Sequence, residues 1–168
     1  MSDIIENKVA KSGLITLDLE ELKPKWRLKG FDIEQALWQG LALKEKDFRE
    51  FVKTYDWESY ANCEVYIYCS AEAIVPTWAY MLIATALQPM ANRVVFGSEK
   101  DLKLALWRNW VAAINTAEYE DCRVIIKGCS KEQIDESVYV ELTAKLTPVV
   151  KSLMYGEPCS TVPLFKKK

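Results

Sequence analysis

The sequence predicts an α/β fold: a small, mainly parallel sheet of flavodoxin-like or Rossmann-like kind, flanked by helices and extended at the N-terminus by a strand and helices. Three observations predict it. From residue 63 onward, short β-branched and aromatic runs alternate three times with helical patterns. The runs are apolar almost throughout, as strands are when helices cover both faces. Two of them end alike, Glu64-Val65-Tyr66-Ile67-Tyr68-Cys69-Ser70 and Arg123-Val124-Ile125-Ile126-Lys127-Gly128-Cys129-Ser130, and a helical pattern follows each.

Residues 1–12 are polar. Leu14 to Leu19 then alternates, with Ile15, Leu17 and Leu19 on one face and Thr16, Asp18 and Glu20 on the other, the pattern of a half-buried edge strand. Pro24 and Gly30 bracket a loop. Asp32 with Gln35 starts a helix over Ile33 to Gln39 that Gly40 ends. Phe48, Phe51, Val52 and Tyr55 recur at helical spacing in an amphipathic helix from about Lys44 to Tyr55. Val65 to Tyr68 is a strand. Pro76 opens an apolar helix that runs to Gln88, where Pro89 stops it. Arg93 to Phe96 is a strand, and Ser98 with Asp101 caps the helix after it. Val124 to Lys127 is a strand. A helical region then runs from about Glu132 to Leu153, bent or split at Pro148, and the tail after Gly156 has no regular period.

The chain of 168 residues fits one domain, with 1–60 an extension packed on a 61–155 core and 156–168 a docked tail. No repeat covering a whole domain is visible. A net charge of −2 gives no nucleic-acid or membrane surface, and the terminal lysines Lys166, Lys167 and Lys168 read as a solvated end. The start of the chain has no signal-peptide pattern, and no apolar run reaches membrane-spanning length, so the reading is a cytoplasmic protein with reduced thiols. Expected partners are proteins, among them further copies of the chain. Histidine is absent, which excludes every histidine base and every histidine-held zinc site.

The chemistry therefore rests on cysteine. In a 2-1-3 strand order the strands ending at Cys69 and Cys129 would be neighbours, with both thiols at the carboxyl edge of the sheet, where such folds place their sites. Cys159, in the tail segment Tyr155-Gly156-Glu157-Pro158-Cys159-Ser160, would make a third. Three thiolates without histidine suit zinc or an iron–sulfur cluster, with Glu72 or Glu157 as a further ligand. Transient sulfur transfer is the related alternative. Ser70, Gly128 and Ser130 lie at the helix starts and are the candidate cofactor contacts. Two other readings stand beside this one. In the first, the chain is an interaction module in which the cysteines only fill strand ends, as Cys63 and Cys122 do. In the second, it is a small anion- or nucleotide-binding enzyme that uses Gly97-Ser98 and the Gly128 turn.

Five stretches also carry a resemblance: Asn7 to Thr16, Lys44 to Phe51, Cys69 to Tyr80, Lys127-Gly128-Cys129-Ser130 and Met154 to Pro163. Together they resemble the uncharacterised Bacteroidetes family known as domain of unknown function 2480, which typically places Asp where this chain has Glu72. The resemblance brings no assigned activity. It implies a gene neighbourhood of sulfur-mobilisation genes, and with it an accessory role in iron–sulfur cluster assembly.

Overall fold

The computed structural model describes residues 14–128, 131 and 133–168. The fold is α/β, with parallel sheets flanked by helices, and it falls into two compact units. One unit is Lys25–Leu106. The other joins the chain up to Pro24 with Trp107–Lys168.

The Lys25–Leu106 unit holds a three-stranded parallel sheet in the order β2-β3-β4, with β2 Leu28–Asp32, β3 Glu64–Tyr68 and β4 Arg93–Phe96. A 3₁₀ turn (Ile33–Ala36), helix α2 (Glu45–Thr54) and a second 3₁₀ turn (Trp57–Tyr60) join β2 to β3. Helix α3 (Thr77–Leu87) joins β3 to β4. Its core clusters Phe31, Ile33, Phe48, Val65, Ile67, Ala79, Ile83 and Leu87, all at most 2% exposed. The stretch expected to be a loop between Pro24 and Gly30 is partly strand. Gly30 breaks the strand pattern in the sequence because the Tyr66 ring of β3 lies over it, and a Cβ there would come within 2.7 Å of that ring. The helix expected over Ile33 to Gln39 is only the 3₁₀ turn.

The second unit holds the sheet β1-β5-β6-β7, with β1 Leu14–Leu17, β5 Arg123–Ile126, β6 Ser152–Glu157 and β7 Ser160–Lys166. The first three strands are parallel, and β7 returns antiparallel on β6. A single helical turn α1 (Leu19–Leu22) follows β1. Helix α4 (Glu99–Ala113) runs across the unit boundary, a 3₁₀ turn (Thr116–Tyr119) precedes β5, and α5 (Glu136–Leu146) joins β5 to β6. The helix expected to reach Leu153 stops at Leu146, because Pro148 cannot continue it, and the tail expected to lack a period is β7.

Two expectations are corrected here. β3 and β5, expected as neighbours in one sheet, belong to different sheets. The chain also carries an internal repeat. Trp57 corresponds to Thr116, Glu64 to Arg123, Thr77 to Glu136 and Arg93 to Ser152, a constant offset of 59 (123 − 64), and each pair opens the same element in its unit. Hydrogen bonds repeat with it. Asn62 N donates to Met90 O and Asp121 N to Val149 O, while Asn92 N donates to Cys63 O and Lys151 N to Cys122 O. Asn62 and Asp121 share positive φ angles of 57° and 51°, which asparagine and aspartate tolerate better than most residues. β1 and β2 are the matching first strands, with Leu14 beside Arg123 and Leu28 beside Glu64. Sequence similarity survives mainly near the two Cys-Ser strands, so the repeat shows in the hydrogen bonding rather than in the residues.

Candidate functional sites at strand ends and sheet edges

At the carboxyl edge of the β1-β5-β6 sheet, Asp18 follows β1, Lys127 follows β5 and Glu157 ends β6. Expected as part of an exposed strand edge, Asp18 is instead only 8% exposed and caps α1. One carboxylate oxygen accepts the Glu20 and Glu21 amides at 3.0 and 3.3 Å; the other takes Lys127 Nζ at 2.6 Å. The Lys127 hydrogen bond holds the Asp18 carboxyl below the usual aspartate range, against the opposing effect of burial. The same bond holds Lys127 above the usual lysine range. A lysine kept protonated is a fixed positive charge and a poor nucleophile. Tyr155 Oη donates to Gly128 O at 3.4 Å, and a Cβ on Gly128 would meet the Tyr155 ring at 2.8 Å. The Gly128 turn is therefore filled by tyrosine. Among the described residues, Glu157 Oε1 is buried without a hydrogen-bond partner. Cys129 and Ser130 lie outside the described residues.

The equivalent edge of the other unit carries Asp32, Glu34 and Ser70. Ser70 donates its amide to Asp32 Oδ1 at 3.1 Å and its hydroxyl to Asp32 Oδ2 at 2.6 Å, and the hydroxyl also meets Glu34 Oε2. Burial raises the Asp32 carboxyl pKa, but the Ser70 hydroxyl and the backbone amides outweigh it and leave the group lowered. Two carboxylates on Ser70 repel an anion, so the geometry does not favour Ser70 as a phosphate contact. Glu72 is exposed in the loop beyond. At Gly97-Ser98, Asp101 Oδ2 accepts the Ser98 amide at 2.7 Å and its hydroxyl at 2.6 Å. The chain's own carboxylate thus occupies the helix start where an anion was expected. Sequence reasoning missed Asp18 and Glu34. The available signal was an aspartate with a glutamate two residues on, Asp18-x-Glu20 and Asp32-x-Glu34.

The described thiols have different surroundings. Cys69 is half-buried against the apolar core of its unit, with Sγ 3.5 Å from Ala71 O. Cys159 is exposed in the two-residue turn between β6 and β7. The neighbouring-strand geometry expected to unite Cys69 and Cys129 does not exist, because their strands belong to different sheets. Among the described residues, no three His, Cys, Asp or Glu side chains are grouped so as to hold a metal. Cys63 and Cys122 open β3 and β5 at equivalent places. Cys63 is buried and Cys122 half-buried, each pointing its thiol at a nearby carbonyl.

Two apolar grooves also correspond. Ile67, Thr77, Tyr80, Met81, Ala84, Val94 and Phe96 line one of about 430 Å³ beside β4. Ile126, Tyr139, Val140, Thr143, Tyr155 and Leu164 line one of about 300 Å³ beside β6. Five of these match at the offset of 59: Ile67 with Ile126, Tyr80 with Tyr139, Met81 with Val140, Ala84 with Thr143 and Phe96 with Tyr155. Leu164 has no counterpart, because it comes from β7 and among the described residues the β4 sheet has no such strand. Burial raises the phenol pKa values of both Tyr80 and Tyr139. Among the described residues, no charged side chain lines either groove.

Among the described residues, no helix is long and apolar enough to cross a membrane. No curated protein and no solved structure matches the chain. Residues 3–167 match the family described as "Protein of unknown function (DUF2480)", and with nearly its whole length covered the chain belongs to that family.

Proposed function

We propose that this protein is an interaction module whose groove beside β4 receives an extended apolar strand. The observation that carries this reading is the unequal treatment of the two matching grooves. The β6 groove is flanked by a paired strand, while among the described residues no strand pairs with the outer side of β4, leaving a bare sheet edge with Met81 and Phe96 exposed at 63% and 67%. A bare edge offers backbone donors and acceptors, and the groove offers apolar pockets, which is the chemistry of strand addition. The thiol reading, with its role in iron–sulfur assembly, depended on neighbouring strands and loses that support.

A displayed library of random peptides, selected on the purified full chain, tests the proposal. Enriched peptides should alternate apolar residues and bind with micromolar affinity. Phe96→Lys should abolish their binding, whereas the joint change of Cys69, Cys129 and Cys159 to serine should leave it intact. Selection of no apolar extended peptide, or binding that ignores Phe96 and depends on the cysteines, would refute it.

A further inference from the structure

We infer that the strand received at this edge is β4 of a second copy, paired antiparallel about a two-fold axis through Val95. This rests on the interaction reading and names its partner. Gly97 N donates inward to Ile67 O, so by alternation Val95 also faces β3 while Val94 and Phe96 direct their amides and carbonyls outward. Lys167 N bonds to Lys151 O just before β6, and by alternation Leu153 and Tyr155 are the outward residues of β6. Leu153 and Tyr155 match Val94 and Phe96 at the offset of 59. The edge that β7 covers is thus presented again by β4.

The chain itself shows what sits on such an edge. On β6, Phe165 lies opposite Leu153 and Val162 opposite Tyr155. If a second β4 pairs with its Phe96 opposite Val94, then its Val94 falls opposite Phe96. Phenylalanine again faces the aliphatic position and valine the aromatic one. Parity allows this register, since residues facing each other in hydrogen-bonded pairs must both point outward, and Val94 and Phe96 do. The contact is isologous, so one groove and one strand per copy satisfy both partners. Arg93 completes it. Its Nε is buried without a hydrogen-bond partner among the described residues. The pairing sets Arg93 opposite Gly97 of the second copy, beside the acidic first turn of α4 that carries Glu99 and Asp101. The edge also lacks the usual guards against pairing. Arg-Val-Val-Phe contains no proline, lysine or bulge, whereas β7 carries Pro163 and Lys166.

Sedimentation equilibrium of the full chain tests the inference, with Phe96→Lys as the main variant. Phe96 is largely exposed, so the variant keeps its fold by circular dichroism. Wild type should be dimeric at tens of micromolar. Phe96→Lys should weaken the dimer roughly hundredfold, about tenfold for each of the two phenylalanines lost from a symmetric contact. Val95→Cys gives a second reading. Residue 95 faces its own copy across a non-hydrogen-bonded pair, about 4.5 Å between Cα atoms, within disulfide range. Mild oxidation should therefore give a covalent dimer joined through residue 95. A wild type that stays monomeric at about 100 μM, or a dimer that ignores Phe96→Lys and does not crosslink through residue 95, overturns the inference. A monomer that still binds apolar peptides through Phe96 overturns only the second copy as occupant. A monomer that binds none overturns the interaction reading as well.

Discussion

Replacing Asp18 removes two supports with one substitution, and their sizes can be worked from the structure. The Asp18 carboxylate accepts two amides at the start of α1 and pairs with Lys127 at 2.6 Å while only 8% exposed. Losing the cap costs about 1 kcal/mol. Losing the partner of Lys127 adds about 1 kcal/mol, the upper end for a pair whose lysine is partly solvated. Asp18→Ala should therefore lose about 2 kcal/mol in urea unfolding followed by tryptophan fluorescence, or about 4–8 °C in midpoint for a chain of this size. Asp18→Asn keeps an amide acceptor and should lose about half as much. The pH dependence has a definite sign. The folded carboxyl is held below its unfolded value, so the pair's contribution is complete above the unfolded aspartate pKa. It is lost as pH falls through the lower, folded value. Wild type should lose stability over that acidic window more steeply than Asp18→Asn does. Equal slopes, together with a loss under about 0.5 kcal/mol for Asp18→Ala, would show that the Lys127 contact does not hold the strand ends together.

Gly97 has φ +128°, and a Cβ there would lie 2.6 Å from Asp101 Oδ2. Gly97→Ala should therefore cost about 1–3 kcal/mol through backbone strain and the displaced cap, and a thermal melt unchanged from wild type would count against the capped turn. Thiol accessibility gives another check. Timed alkylation read by mass spectrometry should label exposed Cys159 well before buried Cys63, which reacts only as the unit opens. Early labelling of Cys63 would contradict the packing at the start of β3.

Local chemistry made much of this fold legible in the sequence. Glu64 to Tyr68, Arg93 to Phe96 and Arg123 to Ile126 carry β-branched and aromatic residues in short apolar runs, and all three are strands. Phe48, Phe51 and Val52 mark α2 by spacing, and Ser98 with Asp101 marks the start of α4. These signals lie within a few residues of one another, so composition and period suffice. β2 escaped notice because Gly30 looks like a turn until the Tyr66 ring is placed over it. β7 escaped because Pro158 and Pro163 read as tail, although Pro163 sits opposite Met154, which faces away from β7, where no amide is required.

Strand partners were beyond the sequence for a different reason. Apolar runs of similar length are interchangeable as neighbours, and pairing is decided by loop closure and packing over long separations. β1 pairs with β5 across an entire inserted unit, which put the strands before Cys69 and Cys129 in different sheets and removed the neighbouring-strand geometry expected to unite them. The sequence by itself determined the helices, most of the strands, the α/β class and the absence of histidine chemistry, because each of these depends on residues close along the chain. Only the tertiary structure decided the division into two sheets, the doubling of one plan at an offset of 59, and the bare β4 edge, because each depends on which distant backbone groups find partners and which are left without them.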